Sequence, residues 1–69
     1  MNIPSEKLAL AYAEYKKGTL VPGDLSLSEN LDLQTEYYAH QVEIRDTDVL
    51  EFVKKLIIAQ ENYKFSDNE

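Results

Sequence analysis

Ser26-Leu27-Ser28-Glu29-Asn30-Leu31-Asp32-Leu33-Gln34-Thr35-Glu36-Tyr37-Tyr38-Ala39-His40-Gln41-Val42-Glu43-Ile44 can be read with two periods, and each builds a different protein. Thr35, Tyr37, Tyr38, Val42 and Ile44 favour strands, and Tyr38, His40, Val42 and Ile44 alternate as a strand would. Carried backwards, however, that face takes in Asn30, Asp32, Gln34 and Glu36, so half of it is polar. At about 100° per residue the sorting improves. Leu27, Leu31, Tyr38 and Val42 then share one side, with Leu33, Tyr37 and Ile44 adjacent and only Asn30, Gln34 and Gln41 between them. Glu29, Asp32, Glu36 and Glu43 fall opposite. Ser26 with Glu29 three residues later is also a capping-box pattern. The helical period therefore prevails, and a helix is predicted over about 26–44.

Working outward, Arg45-Asp46-Thr47-Asp48 holds three consecutive N-cap candidates and breaks the chain. Beyond it Val49, Phe52, Val53, Leu56, Ile57, Gln60 and Tyr63 make one stripe, predicting a helix over about 48–64 with a frayed tail at 65–69. On the other side, Leu8, Ala11, Tyr12 and Tyr15 mark a helix over about 5–17. Ser5 begins it and Gly18 ends it, with Lys16 and Lys17 in the last turn where the helix dipole favours cations. Residues 18–25, with Pro22-Gly23-Asp24, carry turn chemistry. Gly23-Asp24-Leu25-Ser26-Leu27, with Glu29 and Leu31 after it, resembles the turn joining the two helices of exonuclease VII small subunits. The likeness implies a helix beginning near Ser26 and carries no function, because Arg45–Asp48 interrupts what in that family is one continuous second helix. The expected fold is an all-α, three-helix single domain over 1–69 that self-associates. The alternative is α+β: helix, small β-hairpin, helix.

The chain is 69 residues and 8.0 kDa, so folding buries only about 60% of the surface its unfolded form exposes. Small domains commonly compensate with disulfides, a metal or a partner. There is no cysteine and one histidine, His40, which removes disulfides and Cys nucleophiles and leaves little from which to build a zinc site. A partner is the remedy left. The longest apolar run, Leu56–Ala59, is far short of the ~20 residues of a membrane span. The first residues lack a basic segment followed by an apolar one, so no signal peptide is expected and the cytoplasm is the expected location. Thirteen acids against seven bases leave a net charge of −6, which disfavours direct nucleic-acid and membrane-surface binding. The same charge favours a basic protein partner.

Four groups of residues could carry function. The acidic stripe Glu29, Asp32, Glu36 and Glu43 could meet basic side chains or stand in for phosphates, although most surface helices show such a face. Glu36, His40 and Glu43 share a helical face, but a single histidine makes a hydrogen-bonded surface group the better reading than a metal ligand. Among the tyrosines, stripe positions assign Tyr12, Tyr38 and Tyr63 to the core and Tyr15 and Tyr37 to an interface. Leu10 and Ile58 interrupt polar faces and are the expected self-association residues. No P-loop, nucleophile-base spacing or glycine-rich phosphate cradle is present, and Gly18 and Gly23 both read as cap or turn.

These observations lead to a non-enzymatic binding protein without cofactor or metal. It would act as a small regulator, inhibitor or accessory subunit, of the kind phage and plasmid accessory genes encode. Its partner would be another protein, met through Glu29, Asp32, Glu36, Glu43, Tyr15 and Tyr37. The alternatives are a nucleic-acid mimic that antagonises a DNA- or RNA-binding protein, and a structural subunit of a larger assembly.

Overall fold

The computed structural model describes residues 3–67, with side chains through Tyr63. Helix α1 spans Glu6–Lys17, a 3-10 turn spans Pro22–Asp24, α2 spans Leu27–Ala39 and α3 spans Thr47–Asp67. The fold is a small three-helix, all-helical domain, and no strand occurs among the described residues.

Local chemistry sets most of the boundaries. The Ser5 hydroxyl accepts from the Leu8 amide at 3.2 Å and opens α1. Gly18, at φ 88°, closes it. There the Gly18 amide donates to the Tyr15 carbonyl and the Thr19 amide to the Glu14 carbonyl, both at 3.0 Å, which is a Schellman cap. The capping box of α2 is complete: the Glu29 amide donates to Ser26 Oγ at 3.2 Å, and the Ser26 amide donates to Glu29 Oε1 at 3.4 Å. Of the three cap candidates before α3, the structure selects Asp46, whose Oδ1 accepts from the Asp48 amide at 2.8 Å.

Two boundaries differ from expectation. α2 stops at Ala39 instead of reaching Ile44. His40 leaves helical geometry, and its carbonyl accepts from the amides of both Glu43 and Ile44, at 2.9 and 3.0 Å. This turn satisfies its own backbone and carries Ile44 into the core. β-Branched residues at 42 and 44 weaken a helical continuation there. The second difference is at α3, which starts one residue early and runs through Asp67, so the tail expected at 65–69 is helical as far as 67. Residues 68–69 lie outside the described part.

The core gathers Leu8 and Tyr12 from α1, Leu33 and Tyr37 from α2, Ile44 from the turn, and Val49, Phe52, Val53 and Leu56 from α3. Each fully buried aliphatic or aromatic side chain contributes about 1.5–3 kcal/mol. α1 and α3 meet through aromatics: Phe52 lies 4.8 Å from the Tyr15 ring and 6.1 Å from the Tyr12 ring, centroid to centroid.

The seam between α2 and α3 is partly polar, built on the Asn30 and Gln34 that lie among the apolar residues of α2. Asn30 is completely buried, and its Nδ2 donates to the Leu56 carbonyl at 2.9 Å. Gln34 Nε2 donates to Asn30 Oδ1 at 2.6 Å and to Gln60 Oε1 at 2.9 Å. Because these amides are satisfied inside, the buried face of α2 is Asn30, Leu33, Gln34 and Tyr37. Leu31, Tyr38 and Val42, expected on the apolar side, are exposed, and Leu27 is half-buried.

Candidate functional site

A groove lies between α1, the 18–26 connection and α2. On α1 it is lined by Lys7, Leu10, Ala11 and Glu14, which recur at i, i+3, i+4 and i+7 and so form one helical stripe. Leu20 and Leu25 of the connection form another wall, and Glu29 and Leu33 of α2 complete it. The Schellman cap turns the chain at Gly18 and the 3-10 turn redirects it at Pro22, which is what brings Leu20 and Leu25 back alongside α1. Leu33 belongs to the core, and Ala11, Leu20 and Leu25 are partly buried against it. Leu10 is 61% exposed and stands at the rim. The groove holds about 240 Å³.

The acidic stripe flanks this groove. Asp32 Oδ2 is 3.0 Å from Lys7 Nζ across the α1–α2 contact. That hydrogen bond first, and the Asp32 charge second, hold the Lys7 ammonium above its ordinary range, and Glu36 and Glu29 push in the same direction. Asp32 alone touches the Lys7 ammonium, and Glu36 and Glu29 act on it at longer range. Glu14 adds a further carboxylate at the groove, leaving its edge net negative.

The predicted site residues are only partly brought together. Glu29, Asp32 and Glu36 lie on α2 as expected, but Glu29 also serves the capping box and Asp32 is held by Lys7. Glu43 departs from the stripe because α2 ends before it; it lies in the turn, with Oε1 3.0 Å from His40 Nδ1. The Glu36–His40–Glu43 helical face accordingly does not form. Among the described residues no cluster of three or more His, Cys, Asp or Glu could hold a metal ion.

Tyr37, assigned to an interface, is buried in the core, whereas Tyr38, assigned to the core, is half exposed. The two rings meet edge to face at 5.5 Å. The exchange has one cause: α2 turns the Asn30–Gln34 edge inward, and that carries Tyr37 in with it. Tyr15 is partly buried, with its ring against Phe52. Tyr12 is buried as expected, and Lys16 Nζ lies 5.8 Å from the centre of its ring and 3.7 Å from Asp48 Oδ2. Tyr12, then Asp48, hold the Lys16 ammonium above its ordinary range.

Leu10 and Ile58 are both exposed, but they do not share a site. Leu10 lines the groove; Ile58, 66% exposed, stands on α3 among exposed Lys54, Lys55, Glu61 and Asn62. Sequence reasoning missed the groove itself. Its apolar wall depends on Leu20 and Leu25, which belong to no periodic segment. Val21, Leu31, Tyr38 and Val42 add exposed apolar surface elsewhere. None of the described helices is long and apolar enough to cross a membrane.

Comparison with protein-family models, with curated proteins and with solved structures gives no match for this chain.

Proposed function

We propose that this chain is a small, acidic, non-enzymatic protein-binding module that acts by occupying a surface of another protein. The observation that supports this reading most directly is the groove: apolar inside, acidic at its edge, open, and about 240 Å³. Pockets that enclose small-molecule ligands run to ~300–1,000 Å³. A smaller open groove suits the anchoring side chains on which protein interfaces depend. A regulator, inhibitor or accessory subunit needs no more than this.

The nucleic-acid mimic draws less support from the geometry. A mimic needs a row of carboxylates free to meet basic side chains, but Asp32 is paired with Lys7, Glu29 caps α2, and Glu43 lies off the helix beside His40.

The test is a tagged pull-down from nuclease-treated lysate of the source cell, washed at low and high salt, with the native chain and Leu10→Asp run in parallel. A protein retained by the native chain at both salts supports the module. Retention at low salt only, mainly of nucleic-acid-binding proteins, turns the reading to the mimic. Recovery of the bait alone turns it to a self-assembling structural subunit.

A further inference from the structure

We infer that the groove between α1, the 18–26 connection and α2 receives an amphipathic helix of a partner protein, with an apolar stripe facing inward and lysine or arginine on its flanks. This rests on the protein-binding reading above and specifies its partner.

The shape points to a helix. Lys7, Leu10, Ala11 and Glu14 form a ridge along α1 that no other element of the chain covers fully, since Leu10 stays 61% exposed. A side-chain ridge flanked by a trough is the surface into which a second helix packs. Leu20 and Leu25 on one side and the buried Leu33 on the other give the groove an apolar lining for the anchoring residues of such a helix. Small Ala11 between Leu10 and Glu14 lets an incoming side chain approach the backbone of α1.

The charge selects the flanks. Glu14 and Glu29 line the groove, and Asp32 stands beside it on Lys7. The cation among them, Lys7, is already held by Asp32 at 3.0 Å. An incoming helix therefore meets excess negative charge on both sides of an apolar floor. Basic flanks match it, and acidic flanks are repelled. A second copy of this chain, also at −6, fits poorly for the same reason.

The experiment titrates isotope-labelled protein with a synthetic Leu/Lys peptide of about 14 residues, roughly four helical turns, with leucines at i, i+3, i+4 and i+7 and lysine elsewhere. Amide shifts should concentrate at Leu10, Ala11, Glu14, Leu20, Leu25 and Leu33. Leu10→Asp should weaken binding by about tenfold or more. That substitution makes the chain more acidic, so attraction by bulk charge alone would tighten binding instead. Leu10 is exposed, and an unchanged circular dichroism spectrum verifies that the variant is folded. Glu14→Gln with Glu29→Gln should weaken binding and flatten its salt dependence, the glutamine at 29 keeping the capping box. A twin peptide with glutamate for every lysine should not bind. Absence of binding at about 1 mM, equal binding of the acidic twin, or binding indifferent to Leu10→Asp would each overturn the assignment. Shifts centred on Tyr38 and Val42 or on Ile58 would overturn the groove while leaving the protein-binding reading standing. Loss of the pull-down partner tests that reading separately.

Discussion

Gly18 sits at φ 88°, with open space where a Cβ would project. Any cost of a side chain there is therefore backbone strain and not a clash. Gly18→Ala is expected to destabilise the chain by about 1 kcal/mol in a urea titration. Tyr12 presents the opposite case. Its ring fills the core, and its buried hydroxyl end faces the Lys16 ammonium, which Tyr12 holds above its ordinary range. Tyr12→Phe keeps the ring and should change stability by no more than about 1 kcal/mol, whereas Tyr12→Ala should lower it steeply; parallel denaturation curves distinguish the two. The Lys7–Asp32 pair is a surface contact, and Lys7→Met should leave the melting temperature almost unchanged at pH 7. Because the Lys7 pKa is raised in the folded chain, the small contribution of the pair is present at neutral pH and lost only as pH climbs through the lysine range.

At the scale of elements, short-range signals were readable in advance and the α2–α3 seam was not. Ser5, Gly18, the Ser26–Glu29 box and the cap before α3 act within a few residues of themselves, so spacing reveals them. The stripe of α3 was equally plain: Val49, Phe52, Val53 and Leu56 are buried where the period puts them. The helical period sets Asn30 and Gln34 among the apolar residues of α2, but it does not say that they are buried. Their partners are the Leu56 carbonyl and Gln60, both 26 residues away in the chain, and no local pattern announces such a match. Once those amides turn inward, Tyr37 and Tyr38 exchange roles and the acidic flank settles beside α1. The groove followed from that tertiary arrangement and could not be read from any single segment. The seam makes a pH prediction. Asn30→Asp places a carboxylate oxygen against the Leu56 carbonyl, and burial, with Gln34 Nε2 as its one donor, pushes its folded pKa up. The variant should be least stable at neutral pH and recover as pH falls towards ~3.9, the unfolded value. The recovery follows because the neutral carboxyl can again donate to Leu56. Asn30→Ala should be destabilised by about 2–3 kcal/mol without that recovery. Thermal melts of both variants from pH 7 to pH 4 make the comparison.

The whole molecule is longer than a sphere of its size, with extents of 40 × 24 × 18 Å and a radius of gyration of 11.9 Å against about 11 Å for a compact chain of this length. α3, at 21 residues, accounts for roughly 31 Å of that length. Leu10 and Ile58 emerge on separate surfaces, so self-association through one need not involve the other. If the chain dimerises, Leu10→Asp or Ile58→Asp should convert it to a folded monomer by light scattering. A dimer indifferent to both substitutions would remove these residues from that interface. The buried carboxamide of Asn30 has one further consequence. Its protons are shut between two helices that must separate before water or base can reach them, so their exchange with deuterium should wait for global opening. A single side-chain NH₂ resonance, followed over hours in heavy water, would then report the free energy of the entire fold, while the exposed amide of Gln41 loses its signal at once.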